Sequence, residues 1–404
     1  MQKKWLTIAL INLFIAACLG ALMRYAFVEE VTWMNYRHII HAHSHVAMLG
    51  WIYMGLYTFL IYIFLREEKQ NALFYNKLFW LTQLSVIGML IAFPIQGYAG
   101  WSIAFSVLHI VFSYIFVYRF WKDLGKQTEQ LIYSRLFVKT ALLFMLLSTI
   151  ALWGMGPIMA KGMKGSALYH GAIQFYLHFQ FNGWFIFGLL ALFFKLLENA
   201  QITLPKQTTT FFWLLTSSCL LTYILAVTWS NPLPILFYIN SVGVLLQFAA
   251  LIVFLRIIKS LWGEIKQLST KWINLLFGIA FISFVLKILI QTAVVIPYIA
   301  TIGYTIRNYV VGFLHLLLLG LVTSFLVGLG TKYGFLIPQS RSAKIGIFLF
   351  LMGWIFTEIL LFLQGTMFWG AMGFMPYYYA LLFGCSMLLP IGIFFILMSR
   401  QTME

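Results

Sequence analysis

The chain of 404 residues is 62% hydrophobic and only 9% charged, with a mean hydropathy of +0.93. Soluble domains carry about a quarter charged residues, so a soluble fold is excluded. The apolar runs are long enough for helices to cross a bilayer and lack the alternation of a membrane barrel.

The sequence predicts an all-α polytopic membrane protein, one transmembrane domain over 1–404. Its spans fall at 5–27, 40–65, 75–97, 100–121, 135–158, 167–196, 208–229, 233–259, 272–297, 303–330, 343–366 and 374–398. Turn residues separate them: Gly97 to Gly100, Asn231-Pro232-Leu233-Pro234, Gly330 to Gly334 and Gly370 to Gly373. The first span follows Lys3-Lys4 without a small-residue cleavage site and is read as retained. No tandem repeat is expected.

A net charge of +16 invites a nucleic-acid reading, but its distribution points to topology. One set of loops holds most of the cations, among them Lys3, Lys4, Arg66, Lys122, Lys126, Arg256, Lys259, Arg341 and Arg400. The opposite set holds Arg24, Arg37, Lys161, Lys164 and Arg307. By the positive-inside rule both termini are cytoplasmic. The expected location is the cytoplasmic (inner) membrane of a bacterium, multi-pass, with the lipid bilayer as partner and no nucleic acid. Cys18, Cys219 and Cys385 match neither a disulfide framework nor a zinc site and read as apolar filler.

Ionisable groups inside a membrane are costly, so each is a candidate for function. His38, His41, His43 and His45 crowd the start of the second span; His109, His170, His178 and His315 lie in the fourth, sixth and tenth. Even-numbered spans start on the outer side, so the deeper histidines share a layer within roughly 18 Å of the outer boundary. Imidazoles on facing helices can hold a buried iron. Arg37 and Arg307, with Arg24 ending the first span, stand where haem propionates need cations. Taken singly, a membrane histidine is more often an interhelical hydrogen-bond donor, and an arginine at a helix end a snorkelling anchor. In the sixth span His170, Gln174, His178 and Asn182 form a stripe, read as a polar seam or a residual metal site. Lys287 and Glu358 are open to a proton-conducting role or a structural Lys–Glu pairing.

Three segments carry a resemblance: His43-Ser44-His45-Val46-Ala47-Met48-Leu49-Gly50-Trp51, His178-Phe179-Gln180-Phe181-Asn182-Gly183-Trp184 and Phe313-Leu314-His315. Together with the twelve spans they resemble the catalytic subunit of the haem–copper oxidase superfamily, cytochrome oxidase subunit I-like and including nitric-oxide reductases. The resemblance implies an oxidase-like bundle with one low-spin haem b on His45 of the second span and His315 of the tenth. His43 is the second choice, and Arg37 and Arg307 are propionate partners. It also implies a degenerate member. Phe313 replaces the high-spin haem ligand, the seventh span lacks the family's His-His pair, and of the usual non-haem ligands His178 alone remains. No copper or second iron is expected.

The leading expectation is a haem protein for electron transfer or sensing, with other redox membrane subunits as partners. Two alternatives stand beside it. One is an active oxygen or nitric-oxide reductase with an atypical ligand set of His109, His170 and His178. The other is a haem-free secondary transporter or interaction protein. The histidine layer depends on topology. A cysteine introduced at position 162 should label from outside the cell and one at position 268 only after permeabilisation; the reverse pattern moves the histidines to the cytoplasmic half.

Overall fold

The structure, a computed structural model, describes residues 1–125, 132–228, 233–268, 270–336 and 340–399. Lys126, Asn231, Pro232 and Arg400 lie outside the described residues. Among the described residues twelve helices are long and apolar enough to span a membrane: α1 Gln2–Tyr25, α2 Tyr36–Phe64, α3 Glu67–Gln96 (broken at Asn71), α4 Gly100–Gly125, α5 Tyr133–Ala160, α6 Ala167–Asn199, α7 Gln207–Thr228, α8 Pro234–Ser260, α9 Lys271–Ala293, α10 Arg307–Lys332, α11 Arg341–Trp369 and α12 Tyr378–Met398. There is no strand among the described residues. The protein is an all-α polytopic membrane protein.

Its polarity is inverted relative to a soluble bundle. On α3, Leu84, Ile87, Ile91 and Ile95 recur at helical spacing and are exposed, while Thr82, Gln83 and Ser85 are buried. An apolar face toward lipid and polar groups toward other helices is what a hydrocarbon solvent selects.

Packing divides the chain into two compact units. The first contains Met1–Gly125, Lys271–Ala280 and Ile306–Glu404; the second contains Lys126–Thr270 and Phe281–Thr305. In the first unit Trp5 stacks on Phe79 at 5.0 Å and meets Tyr57 edge-on at 5.7 Å. In the second, Phe137 stacks on Phe194 at 4.9 Å, and Phe211 on Phe254 at 4.9 Å.

Three helices are more enclosed than the others. The most apolar stretch is 89% buried in α2, 89% in α6 and 61% in α10, against 28% to 56% elsewhere. Each of the three widens into a π-helical segment, and each segment begins at the residue after a histidine. Val46–Tyr53 follows His45, Phe179–Phe185 follows His178, and Leu316–Thr323 follows His315. Each histidine also has a glycine five residues on: Gly50, Gly183 and Gly320. Among the described residues this device recurs at α2, α6 and α10.

A π turn leaves carbonyls out of the α-ladder, and such turns collect at functional sites. Inside a membrane those carbonyls need partners from the protein. Asn12 supplies one, donating from Nδ2 to the Gly50 carbonyl at 2.8 Å while exchanging hydrogen bonds with Gln83. Thr323 ties two widened turns together: its Oγ1 accepts from Trp51 Nε1 at 2.8 Å and donates to the Leu318 carbonyl at 2.7 Å. That fixes α2 against α10 within the first unit.

Gly183 and Gly50 serve close approach. A Cβ on Gly183 would lie 2.5 Å from Phe144 Cβ, and one on Gly50 would lie 2.9 Å from Val86 Cγ1. Gly171, on the same helix as Gly183, meets nothing within 4 Å. Gly183→Ala should therefore destabilise the detergent-solubilised protein by about 1–3 kcal/mol through overpacking. Gly171→Ala should be neutral or stabilising, because alanine is the better helix former by about 1 kcal/mol. Thermal denaturation compares them; equal melting temperatures would contradict the packing argument.

Candidate functional site

The side chain of Asn35 accepts from the His38 amide at 3.2 Å and starts α2 at Tyr36, so that all four clustered histidines fall within its first ten residues. The predicted start at 40 missed this cap.

Residues three and four apart share a helix face, and His38, His41 and His45 do so against the end of α3 and the turn after it. His38 Nδ1 donates to the Pro94 carbonyl at 3.3 Å. The His41 ring lies edge-on to Tyr98 at 4.6 Å, and the His45 ring lies 4.3 Å from Phe93. His45 Nδ1 is 2.8 Å from the His41 carbonyl, and its Nε2 is 3.0 Å from Tyr98 Oη. A carbonyl only accepts, so Nδ1 carries the proton and Nε2 accepts from the tyrosine. Both nitrogens of His45 are occupied.

His43 lies on the other face. Its Nδ1 donates to the Ala16 carbonyl of α1 at 2.8 Å, and Nε2 makes no hydrogen bond to the described residues. Gly20 admits the ring, since a Cβ there would stand 3.1 Å from His43 Cε1. His43 is within electrostatic reach of His315. The sequence favoured His45 as the residue looking toward α10; in the structure His45 packs toward α3, and His43 is the helix-2 histidine within electrostatic reach of His315.

His315 is the ninth residue of α10 and retains 26% side-chain exposure although helices surround it. Its Nδ1 stands 3.9 Å from Glu358 Oε1 on α11. This exceeds hydrogen-bond length, and His315 Nδ1 and both Glu358 oxygens are buried without hydrogen-bond partners among the described residues. Arg24, at the end of α1, is within electrostatic reach of His43, His315, Glu358 and Arg307. Arg307 is exposed at the first residue of α10. Arg37 is also exposed and acts on His41, on the His45 side of α2.

His109 is 2% exposed, its ring 4.7 Å from that of Tyr53, with Nδ1 3.4 Å from Ser113 Oγ. Its Nε2 is buried without a geometric hydrogen bond among the described residues, and the Leu49 backbone acts on the ring.

In the second unit, His178 Nε2 donates to the Cys219 carbonyl of α7 at 2.8 Å, and Nδ1 accepts from Asn182 Nδ2 at 3.3 Å. The His178–Asn182 part of the α6 stripe is thus an interhelical hydrogen-bond seam. Gln174 is exposed, and the ring of His170 lies edge-on to that of Tyr169. Lys287 is 1% exposed and within electrostatic reach of Cys219 and His178. One turn on, Gln291 accepts from Gln247 at 3.0 Å. Among the described residues, no three His, Cys, Asp or Glu side chains form a group that could hold a metal ion.

The sequence left three features unread: the carbonyl anchoring His43, the tyrosine on His45, and the carboxylate beside His315. Glu358 carried one signal, as an acid in the middle of an apolar span. The other two depend on which helices are neighbours. No protein-family model matches the chain, and no curated protein matches it.

Proposed function

We propose that this is a membrane haem protein holding one b-type haem between α2 and α10 of the first unit, with His43 and His315 as axial ligands, and that it carries electrons. One observation supports this above the rest. His43 and His315, on neighbouring helices, each turn Nδ1 toward an oxygen and leave Nε2 without a partner among the described residues. A histidine that ligates through one nitrogen almost always gives the other to a carbonyl, carboxylate or water.

The donor set fits the group in two further respects. His43 is the eighth residue of α2 and His315 the ninth of α10, so the two rings sit at like depth from their helix starts. Arg24 and Arg307 supply cationic charge at that end for carboxylate substituents.

Bound there, haem would supply reversible one-electron chemistry. The chain's own part is to orient the rings. The Ala16 carbonyl fixes the His43 tautomer, and the Trp51–Thr323 hydrogen bond holds the two helices in register. Two imidazoles leave no open coordination position for a gas, which favours electron transfer over reduction of oxygen or nitric oxide. The proposal gives His178 no metal, because both its nitrogens are hydrogen-bonded. The loop-charge asymmetry supports an inner-membrane location with cytoplasmic termini.

Alanine replacements at His38, His41, His43, His45 and His315, scored as haem per purified protein, test the assignment. Loss is expected from His43→Ala and His315→Ala, with the others retaining most of their haem. Loss from His45→Ala with retention in His43→Ala would turn the helix face round, and retention in every variant would overturn the haem site.

A further inference from the structure

Glu358 is the feature of the first unit that the ligand pair does not use. Both its carboxylate oxygens are buried and have no hydrogen-bond partner among the described residues. An acid in the middle of a spanning helix is normally paired or faces a functional interior. Two ionisable side chains are its neighbours: His315, with Nδ1 3.9 Å from Oε1, and Arg24 at longer range. The approach is built into the helix contact. A Cβ on Gly312, three residues before His315, would lie 3.3 Å from Glu358 Oε2 and 2.9 Å from Phe362. Glycine there lets α11 bring the carboxylate against α10 at the level of the ring.

We propose that Glu358 is the positioning residue of His315: its carboxylate accepts a hydrogen bond from Nδ1–H, holds the ring with Nε2 toward the iron, and lowers the reduction potential of the haem. This rests on the haem reading given above. The 3.9 Å separation exceeds a charge-assisted hydrogen bond by about 1 Å, a distance that a side-chain rotation closes once ligation fixes the ring. The two ligands are then unlike. The Ala16 carbonyl behind His43 is a neutral acceptor, whereas a carboxylate behind His315 pushes electron density onto the imidazole and favours the oxidised iron. The strength of this push is set by one side chain on a helix that contributes no ligand, so the potential can be tuned without disturbing the ligand pair.

Redox titration of the purified haem protein tests this with Glu358→Gln and Glu358→Asp. Glu358→Gln preserves volume and an acceptor oxygen but removes the charge. It should raise the midpoint potential enough to change the oxidised-to-reduced ratio about tenfold at fixed poise, equivalent to 59 mV for a one-electron couple. Glu358→Asp should stay near the wild type. Haem loss in Glu358→Gln that Glu358→Asp restores supports the same role. An unchanged potential in Glu358→Gln with haem retained would overturn the inference while leaving the haem reading intact, as would an equal shift or equal haem loss in both variants. A wild-type protein without haem would instead overturn the functional reading on which it rests.

Discussion

A histidine buried between membrane helices has two ring nitrogens to satisfy and no bulk water to do it. Its surroundings therefore define its role. His178 spends one nitrogen on the Cys219 carbonyl and the other on Asn182; it joins helices. His45 is divided between the His41 carbonyl and Tyr98. His43 spends only Nδ1, and His315 makes no hydrogen bond to the described residues although its Nδ1 faces Glu358; the two lie on helices joined by the Trp51–Thr323 hydrogen bond. The functional proposal follows from that contrast rather than from the number of histidines.

The π segments explain why enclosed helices tolerate so many polar residues. Each widened turn withdraws carbonyls from the ladder; in the first unit Asn12 donates to that of Gly50 and Thr323 to that of Leu318. In α2 and α6 the glycine five residues after the histidine keeps the widened turn close to its neighbour, more tightly at Gly183 against Phe144 than at Gly50 against Val86. The device recurs at α2, α6 and α10, but its histidines have not kept one use. In α6 the histidine is a hydrogen-bonding residue, while in α10 it stands beside an unpartnered acid.

Composition and span length carried the fold class, and most helix ends fall within a few residues of their predicted positions. Helix α10 shows where such reading stops. It was predicted from 303, yet Ile306 is extended (φ −82°, ψ 103°) and separates a short helix, Pro297–Thr305, from a start at Arg307. The junction Thr305-Ile306-Arg307 contains no glycine or proline to announce the break. From the observed starts His315 is the ninth residue of α10, and His43 and His45, the eighth and tenth of α2, match its depth equally, so depth does not choose between them. The helical wheel correctly put His43 opposite the other three. It could not tell which face meets α10, because that depends on packing among α1, α2, α3 and α10. Glu358 was visible as an oddity, but its place beside His315 comes from a glycine on another helix.

The haem reading makes a demand that no arrangement of hydrogen bonds can imitate: a coordinatively saturated iron in the purified chain. The decisive measurement is the absorbance spectrum of the reduced protein before and after carbon monoxide, with haem counted per chain. The account predicts one b-type haem per chain and a spectrum essentially unchanged by the gas, since two imidazoles leave iron no free position. A full-amplitude carbon monoxide shift, or a pure and folded protein with no haem, would contradict it.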